Sequence, residues 1–221
     1  MDHRESHDRE QIRQAHVFAS GALLLSGDGK LQAVVDAAAK AFGTPMAALS
    51  IIDRDRQFLP VSFGLDVSET SRAVSFCSRA IERPGEILCV PDATEDARFA
   101  TNPLVTGPPA IRFYAGFALE SAPGTALGAL CVIDSQPRPP LTDEERVLLT
   151  ELAALCQQEI ARARSLLTSS VEAVEMIAVQ IQHALETGNE PLVTELDRIL
   201  QDMEANIKRV RTLTRDFPQR T

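Results

Sequence analysis

The chain has no tryptophan and a single tyrosine, Tyr114, in 221 residues. It also has no run of 18 apolar residues, which leaves no segment able to cross a bilayer as a helix. Its first ten residues, MDHRESHDRE, are charged and have no apolar stretch behind a basic start. No secretion signal is read there, and the expected compartment is the cytoplasm, where thiols stay reduced. Basic charge is in deficit: the formal net charge is −9, which argues against a nucleic-acid partner. The four cysteines, Cys77, Cys89, Cys131 and Cys156, are too far apart in sequence for a CxxC pair. That spacing writes neither a zinc knuckle nor a redox dithiol, and no metal site is expected.

What is present suits a globular core, with 44% hydrophobic residues. Residues 8–25 read as a helix with Ile12, Ala15, Phe18, Ala19 and Leu23 at helical spacing. A second helix, 31–42, is closed by Gly43 and Pro45. MAALSIID, 46–53, is apolar on both strand faces and predicts a central strand. The returning strand, 57–64, contains Pro60 and is expected at a sheet edge. Ser75 opens a short helix, and 87–90 form a strand. A long loop with one helical turn around 96–100 leads to strands 111–120 and 125–134, joined as a hairpin. Thr142 and Glu145 have the spacing of a capping box at the start of a long helix. Leu148, Leu152, Leu155 and Ile160 run on into Leu167, Val171, Val174, Ala178, Ile181 and Leu185, the later steps at heptad spacing. A break at 186–191 precedes a last helix, about 192–214. The expected fold class is α+β, a mainly antiparallel sheet flanked by helices, followed by a C-terminal helical hairpin.

The segments SFCSRAI, PDATEDARFATNPLV, IRFYAGFAL, GALCVID and LTDEERVLLTELA, in that order, resemble the GAF domain, a relative of PAS sensor modules. The resemblance covers 27–163. It leaves 1–26 as an N-terminal helix and 164–221 as a hairpin for dimerisation and output. It is similar to the bacterial GAF domains found beside histidine kinases and cyclic-dinucleotide enzymes. It implies a sheet of five or six antiparallel strands, helices on one face, a small-molecule pocket on the other, and a homodimer formed through the helices.

Within that resemblance several chemistries lose support. The histidines are His3, His7, His16 and His183, so none lies in 42–163 to ligate haem or pair with a bilin cysteine. The cyclic-nucleotide pattern of the family is missing, as is the tryptophan stretch of its methionine sulfoxide reductases. Cofactor and ligand stay unnamed, and no catalytic residue is assigned. The candidate ligand-binding residues are Arg112, Tyr114, Phe76, Cys77, Asp92 and Cys131. Alternation along 111–117 points Ile111, Phe113, Ala115 and Phe117 one way and Arg112, Tyr114 and Gly116 the other. Arg112 then either meets an acidic ligand group on a pocket floor or forms an internal ion pair with Asp92 or Asp96. Phe76 and Phe99 also read as core, and Asp92 and Asn102 as loop-shaping residues. Cys77 sits one turn into a capped helix, where a thiol can be activated; packing is the ordinary reading for it and for Cys131, pocket lining the second, catalysis the third.

The expectation from these residues is a non-enzymatic sensor module that acts through its C-terminal helices on a partner such as a kinase or a regulator. One rival is a cysteine-based redox sensor or reductase on the same fold. Another is a phosphotransfer hairpin using His183, although the residues that usually follow a phosphoacceptor histidine are absent.

Overall fold

The computed structural model describes residues 3–186 and positions 194, 198 and 201, with side chains from Asp8 to Ser165 and at scattered positions after that. The chain divides into two compact units, Met1–Ala161 and Arg162–Thr221.

In the first unit, helices α1 (His3–Ala19) and α2 (Gly29–Phe42) precede strands β1 (Met46–Asp53), β2 (Arg56–Phe63) and β3 (Glu69–Ser71). A short helix α3 (Phe76–Ala80), strand β4 (Ile87–Val90) and one-turn helix α4 (Pro103–Thr106) follow. Strands β5 (Phe113–Ala122) and β6 (Thr125–Asp134) form the hairpin, and the long helix α5 (Asp143–Glu186) contributes its residues 143–161 to this unit. The six strands make one antiparallel sheet in the order β3-β2-β1-β6-β5-β4.

The sheet separates two cores. Ala47, Leu49 and Ile51 of β1, Phe113, Ala115 and Leu119 of β5, and Val132 of β6 meet Leu31, Val35, Ala38 and Phe42 of α2 and Leu149, Ala153, Cys156 and Ile160 of α5. On the opposite face Ala48, Ile52, Tyr114, Ala118 and Cys131 meet Phe76, Cys77, Phe99, Val105 and Ile111 from α3 and the loops after it. That second layer explains why β1 is buried on both faces.

Local chemistry sets the helix ends. The Asp28 carboxylate accepts from the backbone N–H groups of Lys30 and Leu31 and caps α2, and Gly43, at φ 57°, ends it in the left-handed conformation. Thr142 and Glu145 make the reciprocal bonds of a capping box: the Thr142 N–H donates to Oε2 of Glu145, and the Glu145 N–H to Oγ1 of Thr142. The hairpin turns on Pro123 and Gly124, the latter at φ 76°.

Three expectations need correction. Pro60 does not mark an edge, because β3 lies outside β2. It sits where the β1–β2 register shifts between Leu49 and Ile51, past the three residues that β3 pairs. On α1 the apolar positions face outward: Ile12 is 57% and Phe18 84% exposed. Arg13, Val17 and Ser20 face inward instead, because Nη1 of Arg13 donates to the carbonyls of Ile52 and Ala126 where strands β1 and β6 part. Ile111 does not share a face with Phe113, because β5 begins only at Phe113 and Ile111 packs in the Tyr114 core. The second arm expected at 192–214 lies outside the described residues apart from helical positions 194, 198 and 201.

Candidate functional site

The face under α3 gathers four of the six candidate residues. Ser75 has extended backbone, and its hydroxyl accepts from the Ser78 N–H, which starts α3 there and turns Phe76 and Cys77 toward the sheet. The Phe76 ring stacks on Phe99 at 4.0 Å between centroids and tilts against Tyr114 at 5.2 Å. Tyr114 lies back along its own strand over Gly116, where a Cβ would come within 2.7 Å of its Cζ. Glycine at 116 is what gives the ring this place.

Sulfur and hydroxyl groups meet beneath the rings. The Tyr114 hydroxyl donates to Sγ of Cys77 at 3.2 Å, and Sγ of Cys77 lies 3.7 Å from Sγ of Cys131. Nε2 of Gln57 reaches Cys77 at 3.5 Å, and Sγ of Cys131 contacts the Ala48 carbonyl at 3.5 Å. Thr70 on β3 donates to Oε1 of Gln57 at 3.4 Å. Both thiols and Tyr114 are buried. Hydrogen bonding from Cys131, against the effect of burial and with help from Ser50 and Tyr114, lowers the Cys77 pKa below its ordinary value. Cys131 is pushed well up, first by its bond to Cys77 and then by burial. Burial pushes Tyr114 up as well, reinforced by the charge at Cys77, so it stays a donor.

Arg112 and Asp92 are held in the loops beside this cluster. Nη1 of Arg112 donates to the carbonyls of Val105 and Ile111, 2.9 and 3.0 Å away. The Arg112 carbonyl accepts from the Ala93 N–H at 2.6 Å. Oδ1 of Asp92 accepts from the N–H and hydroxyl of Thr94, which lower its pKa, with a smaller contribution from the charge of Arg112. The Asp96 carboxylate pairs with Arg98. Asn102 caps α4 and donates to the Val74 carbonyl, joining this loop to the start of α3.

A groove of about 590 Å³ lies on the other side of α3, lined in part by Glu10, Arg13, Arg72, Ser75, Ser78 and Arg79. Sequence reading did not single out its centre, a Glu10 carboxylate shared by Arg13 and Arg72. No local signal marks it, because the partners come from distant segments. Among the described residues no group of three or more His, Cys, Asp and Glu side chains is placed to hold a metal ion, and no helix is long and apolar enough to cross a membrane. The side chain of His183 lies outside the described residues.

A six-stranded antiparallel sheet with α2 and α5 on one face and α3 with its loops on the other defines a sensory-type α+β module. The chain belongs to the GAF domain family, whose model matches residues 28–160. Its fold is similar to the GAF domain of an Acinetobacter phosphoenolpyruvate-protein phosphotransferase: 20% identity, TM-score 0.51, 75% of this chain and 97% of that one covered. It is also similar to the blue-light absorbing form of the Thermosynechococcus elongatus PixJ GAF domain: 12% identity, TM-score 0.51, 74% and 94% covered. A curated relative from Pseudomonas aeruginosa is 44% identical over 156 residues and is named a cyclic di-GMP phosphodiesterase. The match takes in 71% of this chain and 26% of that protein, so the chain spans about a quarter of its relative's length.

That relative overturns two expectations, that the chain is a non-enzymatic sensor module and that it is no enzyme. That relative's name denotes phosphodiester hydrolysis, not the cysteine-based redox sensor or reductase, or the histidine phosphotransfer hairpin, that stood as alternatives.

Proposed function

We propose that this chain serves the hydrolysis of cyclic di-GMP, as the GAF unit of a phosphodiesterase whose activity it governs. The observation that carries the reading is the 44% identity over 156 residues to a protein named for that reaction. In this reading the output of the module is a phosphodiesterase rather than a kinase or a transcription regulator. The controlling face is the one under α3, where Phe76, Cys77, Tyr114 and Cys131 meet and Asp92 and Arg112 shape the flanking loops. An effector that opens the Phe76–Phe99 stack shifts α3 against the sheet, and the hydrolase responds to that shift. The segment from 164 onward carries the signal between protomers of a homodimer. Support for that comes from apolar side chains left in solvent: Ile12 and Phe18 on α1, and Met176, Val179 and Leu185 on α5. The cytoplasm is the compartment that fits a cyclic-dinucleotide signal.

The test is a chimaera in which this chain, joined ahead of α1, replaces the matched segment of the Pseudomonas relative. Hydrolysis of cyclic di-GMP is measured with and without Phe76→Ala in the grafted segment. The expected result is that the chimaera hydrolyses the dinucleotide and that the substitution changes its rate while the exposed Val147→Ala does not. A rate indifferent to both substitutions and to deletion of the segment would overturn the proposal.

A further inference from the structure

We infer that Cys77 and Cys131 form a covalent modification site, closed into a disulfide by a hydroperoxide. The four cysteines are reduced in the structure. Only Cys77 and Cys131 share the core under α3; Cys89 and Cys156 pack with the core across the sheet. The two sulfurs are 3.7 Å apart, already in contact, and a bond needs them at about 2.0 Å. One sulfur comes from a helix of five residues, the other from the middle of a central strand, so α3 is the part that moves.

The donors around the pair decide which sulfur attacks. Cys77 accepts from the Tyr114 hydroxyl and is reached by the Gln57 amide, while Cys131 donates to the Ala48 carbonyl. A thiolate is therefore better held at Cys77 than at Cys131. In the first step the Cys77 thiolate attacks the nearer oxygen of the hydroperoxide. The O–O bond breaks, a Cys77 sulfenic acid forms, and the departing alkoxide or hydroxide leaves as alcohol or water with the proton that Cys77 released. In the second step the Cys131 sulfur attacks the Cys77 sulfur. The S–S bond forms, the S–O bond breaks, and water leaves with the Cys131 proton. The two sulfurs together lose two electrons, and the peroxide gains them.

The oxidant reaches the site from the groove behind α3, whose wall includes Ser75 and Ser78. Entry from there requires a local opening of α3, whose Phe76, Cys77 and Ala80 are buried against the sheet. The bond then pins α3 to the sheet. Because Oγ of Ser78 donates to the Arg72 carbonyl and Arg72 holds Glu10, the fixed helix also bears on α1. None of this depends on the phosphodiesterase assignment.

The experiment treats the full, folded chain with hydrogen peroxide, removes the oxidant, blocks free thiols under denaturing conditions and maps peptides without reduction. The expected result is a fall from four free thiols to two, with Cys77 and Cys131 in one cross-linked peptide that dithiothreitol separates. In Cys131→Ser the oxidation of Cys77 stops at a sulfenic acid that a dimedone probe captures. Retention of all four thiols, or a main product that links Cys89 or Cys156, would overturn the inference. The mapping uses the unsubstituted protein, so it stands even if the variant fails to fold.

Discussion

The Glu10 carboxylate on α1 grips the Arg72 guanidinium, 62 residues further along, with oxygens 2.6 and 3.1 Å from its two terminal nitrogens. The same carboxylate accepts from Nε and Nη2 of Arg13 and from Gln14. Burial raises the pKa of Glu10, but the hydrogen bonds from Arg13, Arg72 and Gln14 outweigh it and hold the group far below its ordinary value of 4.5. The folded pKa is depressed, so the stabilisation is fully present above 4.5 and is lost as pH falls through the folded value. Glu10→Gln should therefore destabilise at neutral pH and lose its effect in strong acid. With the side chain 36% exposed, solvent screening limits the loss to about 1 kcal/mol. Urea unfolding at neutral and acid pH reads both.

Gly128 and Gly116 differ in what a methyl group would meet. At Gly128 a Cβ would press on the backbone of Ser50, with the carbonyl carbon 2.7 Å away. At Gly116 the obstacle is the Tyr114 side chain. Backbone in a central strand pair cannot step aside, whereas a ring can tilt. Gly116→Ala should cost about 1–3 kcal/mol, and Gly128→Ala more. Thermal denaturation of the two variants gives the ranking.

The aromatic stack should carry much of the stability of the second core. Phe76→Ala removes a ring that contacts both Phe99 and Tyr114 and should cost about 3–5 kcal/mol. Tyr114→Phe keeps the ring and removes only the hydroxyl bond to Cys77, for about 0.5–1.5 kcal/mol. A reversed order in denaturant titration would show that the hydroxyl, not the stack, organises this face.

Alkylation should separate the thiols by burial. Cys156 is buried in the core on the α2 face of the sheet, and burial pushes its pKa up to about 12. It should resist iodoacetamide at neutral pH, whereas the half-buried Cys89 on β4 reacts first. Mass spectrometry of tryptic peptides over time gives the sequence of modification.

Much of this architecture was legible because local chemistry and global packing agree. The Thr142–Glu145 box, the Asp28 and Gly43 caps and the double-sided run of β1 each announce themselves within a few residues. Periodicity misled on α1, because an inward arginine is favourable only where two strands part and leave carbonyls unpaired, a fact fixed by residues 39 and 113 positions away. Of the apolar stripe that opens α5, Leu152 and Ile160 are buried while Leu155 is 49% exposed. Strand β3 was missed because it has three residues and no apolar signal. Of the candidate site, Cys77 and Cys131 could be named singly, but their contact depends on α3 lying over β6. The link to phosphodiester hydrolysis could not be read from residue chemistry at all, since it rests on overall identity to a longer protein.

Arg13 has a bearing on how such a module can be transplanted. The family match begins at residue 28, but the guanidinium that plugs the gap between β1 and β6 belongs to a helix that ends at Ala19. A segment excised at the family boundary would leave behind both that plug and Val17, which is 1% exposed in the intact core. Recombination that moves this module between host proteins must therefore carry α1 along, or find at the new junction another side chain to fill the same gap.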